Sequence, residues 1–113
     1  MADGEIGFLG LGAMGGPITA RLAAWAQRSP GRRILAYDPR PEALAAAAEA
    51  GAEPVAGGAM EMAARCALVL ACLPAPEISD AVALGPQGIA AVPKARRRVT
   101  TYVEMSTIGS AAL

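Results

Sequence analysis

The sequence predicts an α/β protein built as one doubly wound parallel sheet of about five strands, and three observations carry that prediction. Short apolar runs alternate with helix-forming stretches along the whole chain. The stretches between the runs are long enough for crossovers, which parallel strands require. Hydrophobic residues make up 54% of the 113 positions, yet many are alanine and the aromatics number only one Trp, two Tyr and one Phe. Such a composition suits helices packed closely on a sheet.

Each element follows in order. Residues 5–9 (EIGFL) are an apolar run stopped by glycine, the mark of a short buried strand. Beyond a glycine-rich turn, Ile18, Leu22, Trp25 and Ala26 recur at helical spacing and predict one apolar stripe, ended by Ser29-Pro30-Gly31. Residues 33–37 (RILAY) predict a second strand, closed by Asp38-Pro39. Pro41 suits a first helical turn, PEALAAAAEA is strongly helix-forming, and Gly51 fits the position just past its end. Residues 53–56 predict a short third strand, and Gly57-Gly58 lead into a short helix ending near Arg65.

Residues 67–73 (ALVLACL) form the most apolar run and predict a central strand buried on both faces. Residues 76–84 predict a helix, and 85–94 read as irregular. In residues 99–105 (VTTYVEM), Val99, Thr101, Val103 and Met105 alternate with Thr100, Tyr102 and Glu104, a strand with one less protected face. The order βαβαβαβαβ gives an expected strand order of 3-2-1-4-5. No repeat or linker divides the chain, so residues 1–113 are expected to form one domain.

Charge and composition exclude several classes of function. Ten basic and ten acidic residues balance to zero, which offers no field for nucleic acid or an anionic membrane. Histidine is absent, removing the commonest general base and metal ligand. Cys66 and Cys72 read as reduced core thiols, too few for a metal site. No apolar run is long enough to span a bilayer and no basic leader precedes the first strand, so a cytoplasmic protein is expected. Lys94 with Arg96, Arg97 and Arg98 reads as a solvated loop without interleaved aromatics.

The glycine turn carries the chemistry. Gly10-Leu11-Gly12-Ala13-Met14-Gly15 is GxGxxG after the first strand and at the opening of the first helix. Gly10 permits a tight turn, Gly12 lets the backbone approach a pyrophosphate, and Gly15 lets the helix pack on the strand. The helix N-terminus then presents free N–H groups and a partial positive charge to an anion. Asp38 ends the second strand, where an acidic side chain accepts hydrogen bonds from an adenosine ribose. Arg40 stands two residues beyond it, but the carboxylate would repel a 2′-phosphate, so NAD is expected in preference to NADP.

With these motifs in place, the chain resembles the β-hydroxyacid dehydrogenases, the 3-hydroxyisobutyrate dehydrogenase group related to 6-phosphogluconate dehydrogenase. IGFLGLGAMGGPITARL resembles the family's opening, Leu73-Pro74-Ala75-Pro76 its LPxP turn, and Glu104-Met105-Ser106-Thr107-Ile108 its D-x-S-T motif. The resemblance implies that Gly10, Leu11, Gly12, Ala13, Met14, Leu73, Pro74 and Thr107 line the cofactor, and that Ser106 contacts substrate. Ala13 departs from the family's asparagine, Glu104 from its aspartate, and Gly109-Ser110 from its Ser-Pro.

The implied activity is hydride transfer between a nicotinamide cofactor and a small 3-hydroxy acid. The family's catalytic lysine lies beyond the serine-threonine motif, on the way to an all-helical domain that is not expected within residues 1–113. The chain alone is therefore expected to bind cofactor without turnover, to need that domain for a hydroxyacid substrate, and to self-associate through the edge of its last strand. Two other readings stay open: a non-catalytic nucleotide-binding or interaction module, and part of an imine or semialdehyde reductase on the same scaffold.

Overall fold

The computed structural model describes residues 5–29 and 31–105. Strands β1 (Glu5–Leu9), β2 (Arg33–Tyr37), β3 (Glu53–Pro54), β4 (Leu68–Ala71) and β5 (Thr101–Glu104) alternate with helices α1 (Gly15–Gln27), α2 (Pro41–Glu49), α3 (Gly58–Arg65) and α4 (Pro76–Leu84). All pairings are parallel and the order is β3-β2-β1-β4-β5, as the alternation predicts. The irregular stretch before β5 contains two single 3₁₀ turns, Ile89–Ala91 and Lys94–Arg96.

Because strand side chains alternate, each strand feeds two separate cores. Ile6, Phe8, Ile34 and Ala36 pack against α1 and α2 with Ala23, Ala26 and Ala47. Leu9, Leu35, Val69 and Ala71 face the other way, against Met62 and Ala63 of α3. Helices thus cover both faces of the sheet, the doubly wound arrangement.

The period of α1 is as the sequence predicts, but its phase is rotated. The residues it buries are Gly15, Thr19, Ala23 and Ala26, while Ile18 and Leu22 flank that stripe and Trp25 is 41% exposed. Close approach of the helix to β1 at Gly15 leaves room only for small side chains along the contact line. The larger ones fill the margins, and Trp25 lies outside under the Arg32 guanidinium, 5.8 Å from its ring centre.

β3 is shorter than expected, only Glu53–Pro54, although Val55 N–H still donates to the Ala36 carbonyl. β4 is also shorter, and only one face is sealed. Val69 and Ala71 are fully buried, whereas Leu68 and Leu70 are half-buried on the α1 side. On β5, at the sheet edge, the half-buried positions are Tyr102 and Glu104, and Thr101 and Val103 point to the exposed side. No helix among the described residues is long and apolar enough to cross a membrane.

At the N-terminal ends of the strands, Glu5 bonds Arg65 at 2.9 Å and Arg33 at 3.2 Å, and both arginines reach on to Glu53. This partly exposed network lies opposite the edge where Gly10, Asp38 and Cys72 follow β1, β2 and β4. There, at the C-terminal edge where the winding reverses between β1 and β4, open α/β sheets bind their ligands.

Candidate functional site

Gly10 leaves β1 with φ of +93° and donates its N–H to the Tyr37 carbonyl at 2.9 Å. A Cβ there would run into the Cys72 carbonyl oxygen, and one on Gly15 would run into the Gly10 carbonyl oxygen. Both glycines are therefore required by the fold itself. Gly12 is different. A Cβ built on it meets only the Arg40 guanidinium, at 3.9 Å, and its φ lies outside the left-handed region. Nothing in the folded chain needs that position bare, so the space beside it is what a ligand would use.

Helix α1 starts directly behind this turn. Its N-cap is Met14, no side chain caps it, and no acidic residue stands in its first turn. The positive end of its dipole consequently faces the turn with no capping side chain of its own. A bound anion fits that place.

Asp38 is only 5% exposed and completes the turn from the β2 side. Oδ2 accepts the Leu11 N–H at 2.8 Å, and Oδ1 accepts the Arg40 N–H at 2.9 Å. The Arg40 side chain folds back as a fork, donating from Nε to Oδ1 at 2.9 Å and from Nη2 to Oδ2 at 3.2 Å. Burial by itself pushes the Asp38 carboxyl up. The Arg40 hydrogen bonds, then the Leu11 and Arg40 amides, outweigh it and hold the group below its ordinary value of 3.8. Asp38 is thus an ionised tie between β2 and the glycine turn.

Between these groups and the opposite wall lies a cleft of about 760 Å³, within the size range of cofactor sites. Of the positions expected at the cofactor, Gly10, Gly12, Ala13, Met14, Gly15, Asp38, Leu73 and Pro74 line it. Leu11 does not: its side chain is buried among Phe8 and Ala23, and only its amide reaches the site, through Asp38. Ser106 and Thr107 fall outside the described residues. Cys72, expected in the core, is half-buried and lines the cleft.

Sequence reasoning missed Tyr37, Pro39, Ala59, Ile78 and Val82, which with Arg40 complete the walls. Tyr37 and Pro39 flank the end of β2, a position the binding rule for such sheets would have flagged. Ala59 comes from the start of α3, Ile78 and Val82 come from α4, and none carries a polar signal.

Glu104, beyond this cleft, joins β5 to α4. Its carboxylate accepts the Tyr102 hydroxyl at 2.8 Å and the Ser79 hydroxyl at 3.2 Å. Burial first, then this hydrogen bond, pushes the Tyr102 phenol up, so it stays protonated at neutral pH. Burial likewise pushes the Cys66 thiol up to about 11, which leaves it inert. Lys94 sits exposed on a 3₁₀ turn before β5 and does not line the cleft.

A glycine turn and an uncapped helix N-terminus at the switch point of a doubly wound sheet define a dinucleotide-binding domain of the Rossmann type. The chain belongs to the family of the NAD-binding domain of 6-phosphogluconate dehydrogenase, whose model it matches over residues 5–112. It is 34% identical over 87 residues to a 3-hydroxyisobutyrate dehydrogenase of Pseudomonas aeruginosa, covering 77% of this chain and 27% of that one.

Among solved structures, 3-hydroxyisobutyrate dehydrogenase of Mycobacterium tuberculosis, determined with L-serine, superposes with a TM-score of 0.74 at 29% identity, over 97% of this chain and 34% of the other. The Salmonella typhimurium 3-hydroxyisobutyrate dehydrogenase gives 0.67 at 26%, over 97% and 35%. An imine reductase from Pseudomonas sp. shares the fold, with a TM-score of 0.69 at 23% identity over 97% and 34%. The chain therefore spans 27% of that curated relative and 34% to 35% of these solved chains.

Proposed function

We propose that residues 1–113 form the cofactor domain of an oxidoreductase that moves hydride between NAD and a small 3-hydroxy acid. The observation that carries this reading is Gly12, bare in a turn where the fold does not need it to be, under an uncapped helix end. The nicotinamide ring supplies the hydride chemistry when the cofactor is bound. The chain's own part is to cradle the pyrophosphate at Gly12 and α1, and to hold the adenosine end beside Asp38.

The fit to 3-hydroxyisobutyrate dehydrogenases over nearly the whole chain supports a small hydroxyacid substrate, with Ser106 as its contact. Among the described residues no lysine lines the cleft. The proton shuttle for the alcohol is thus assigned to a segment outside these residues. The free thiols Cys66 and Cys72 support a reducing, cytoplasmic setting.

Titration of the purified chain with NADH, followed by nicotinamide fluorescence, tests the reading. Saturable binding is expected; its absence in a folded sample would overturn it. Asp38→Ala removes the tie to Leu11 and an acceptor beside the ribose. A hydrogen bond to a charged group contributes about 1.5–3 kcal/mol, so NAD should bind about 10- to 100-fold more weakly. NADP should lose less, because the change also removes a negative charge from its 2′-phosphate.

The same carboxylate gives a pH signature. Its folded pKa is depressed, so its stabilising effect is full above the ordinary value and disappears as pH falls through the folded one. The stability gap between the natural chain and Asp38→Asn should be widest near pH 7 and close in acid. A gap unchanged down to pH 2 would show that the tie is not ionic.

Self-association is also proposed. Among the described residues β5 is a sheet edge, and its Val103 is 38% exposed. Light scattering should show association that Val103→Lys reduces; a natural chain that runs as a monomer at all concentrations would refute this.

A further inference from the structure

Helix α4 forms part of the cleft wall, yet few apolar contacts hold it in place. It supplies Ile78 and Val82 to the lining. Among its described side chains only Ser79 is buried, while Ile78 is 42% exposed and Leu84 76% exposed. Val82 packs at the margin of the core. The buried apolar stripe that ordinarily seats a helix on a sheet is therefore thin here.

What seats α4 is polar. Ser79 Oγ donates to Glu104 Oε2 at 3.2 Å, and Glu104 Oε1 accepts the Tyr102 hydroxyl at 2.8 Å. The Tyr102 phenol stays protonated at neutral pH, so that donor is always present. The strand end that carries the carboxylate is itself fixed. Glu104 pairs in register with Ala71, and the next amide, Met105 N–H, donates to the Ala71 carbonyl at 2.7 Å. It thus sits beside the end of β4, from which Cys72, Leu73 and Pro74 enter the cleft.

With the pyrophosphate at Gly12 and the adenosine beside Asp38, the nicotinamide is left the other end of the cleft, among Leu73, Pro74, Ile78 and Val82. We propose that Glu104 is the positioning residue of that end: through Ser79 it holds α4, and with it Ile78 and Val82, against the nicotinamide ring. This rests on the dinucleotide reading of the cleft and deepens it, by naming a residue outside the cleft that sets its width. Once the Ser79 bond is cut, α4 opens locally at little cost, because few apolar contacts resist.

NADH and ADP-ribose, which lacks only the nicotinamide, separate this role from general stability. Both are titrated calorimetrically into the purified chain, and the emission of bound NADH is recorded. Ser79→Ala cuts the link to α4 and leaves Glu104 its bond to Tyr102. It should weaken NADH about tenfold and ADP-ribose by less than about twofold. The emission of bound NADH should move toward that of the cofactor in water. Glu104→Ala should do the same. Glu104→Gln, whose amide can still bridge both hydroxyls, should keep NADH within about threefold of the natural chain. Circular dichroism verifies the fold of each variant. Unchanged NADH affinity and emission in a folded Ser79→Ala overturns the inference and leaves the dinucleotide reading intact. Equal losses for NADH and ADP-ribose, the mark of a general structural bond, overturn it as well, and so does a Glu104→Gln no better than Glu104→Ala. A natural chain that binds neither ligand overturns both.

Discussion

Gly12→Val should abolish NADH binding while leaving the protein folded. The pyrophosphate has to come within hydrogen-bond reach of the turn amides, and the volume it would fill is the one a side chain at Gly12 would enter. A branched side chain there displaces the phosphates from at least two charge-assisted bonds. At about 1.5–3 kcal/mol each, their loss amounts to roughly 100-fold in affinity or more. The protein itself should hardly notice, because the substituted carbon meets only the tip of a flexible arginine at 3.9 Å. A melting temperature within about 4 °C of the natural chain is expected for such a surface change. Fluorescence titration and a thermal melt on the same sample measure both halves. Undiminished NADH affinity in the folded variant would remove the phosphate cradle from the argument.

Much of this molecule is legible in its sequence, for reasons that can be assigned to particular residues. Alternating apolar runs and crossover-length helices leave few topologies, and the order β3-β2-β1-β4-β5 is the one they favour. The glycine spacing places the turn, since Gly10 and Gly15 answer to backbone contacts that recur wherever a strand feeds a helix this closely. The phase of α1 is less legible. Ile18, Leu22 and Trp25 are the large apolar residues, so periodicity alone aims them at the sheet. The close contact at Gly15 instead reserves that line for Thr19, Ala23 and Ala26. On β5 the residues turned inward are Tyr102 and Glu104, because Glu104 finds hydroxyl donors on Tyr102 and on Ser79 of α4. That pairing spans 25 residues and has no local signature.

Asp38 shows the limit most clearly. Its position after β2 marks it as a ribose acceptor, and nothing in the sequence says that its second oxygen holds Leu11 from 27 positions away. Nor does sequence say that Arg40 turns back onto it. The bond from Arg40 N–H to Oδ1 is the local cause: it folds Asp38-Pro39-Arg40 into a tight turn. The side chain of Arg40 is thereby brought over the carboxylate. Residues read separately as an acid that rejects phosphate and a base near it are one neutral pair.

The complement of the Gly12 result is expected at its two neighbours in the motif. Gly15→Ala should destabilise the domain severely, and so should Gly10→Ala, whether or not cofactor is present. On Gly15 the added methyl would overlap the Gly10 carbonyl oxygen and stand 3.2 Å from the Phe8 ring, which is itself fully buried. Relief requires α1 to move off β1, opening the core between Phe8, Ala23 and Ala26. On Gly10 the methyl meets the Cys72 carbonyl oxygen and also demands the left-handed region, at φ +93°. That conformation costs about 1–2 kcal/mol for a residue with a Cβ. Moving Cys72 away would break its N–H bond to the Leu9 carbonyl, where β4 joins β1. Overpacking of a tight core costs about 1–3 kcal/mol, so each variant should lose about 3 kcal/mol of the 5–15 kcal/mol typical of a domain. The melting temperature should fall by about 10 °C or more. Gly12→Ala, the control, should melt with the natural chain. Denaturant and thermal unfolding of the three alanine variants side by side test the division. If Gly10→Ala and Gly15→Ala proved as stable as Gly12→Ala, then no glycine of the motif would be there for the fold. The bareness of Gly12 would then lose its force as a sign of ligand.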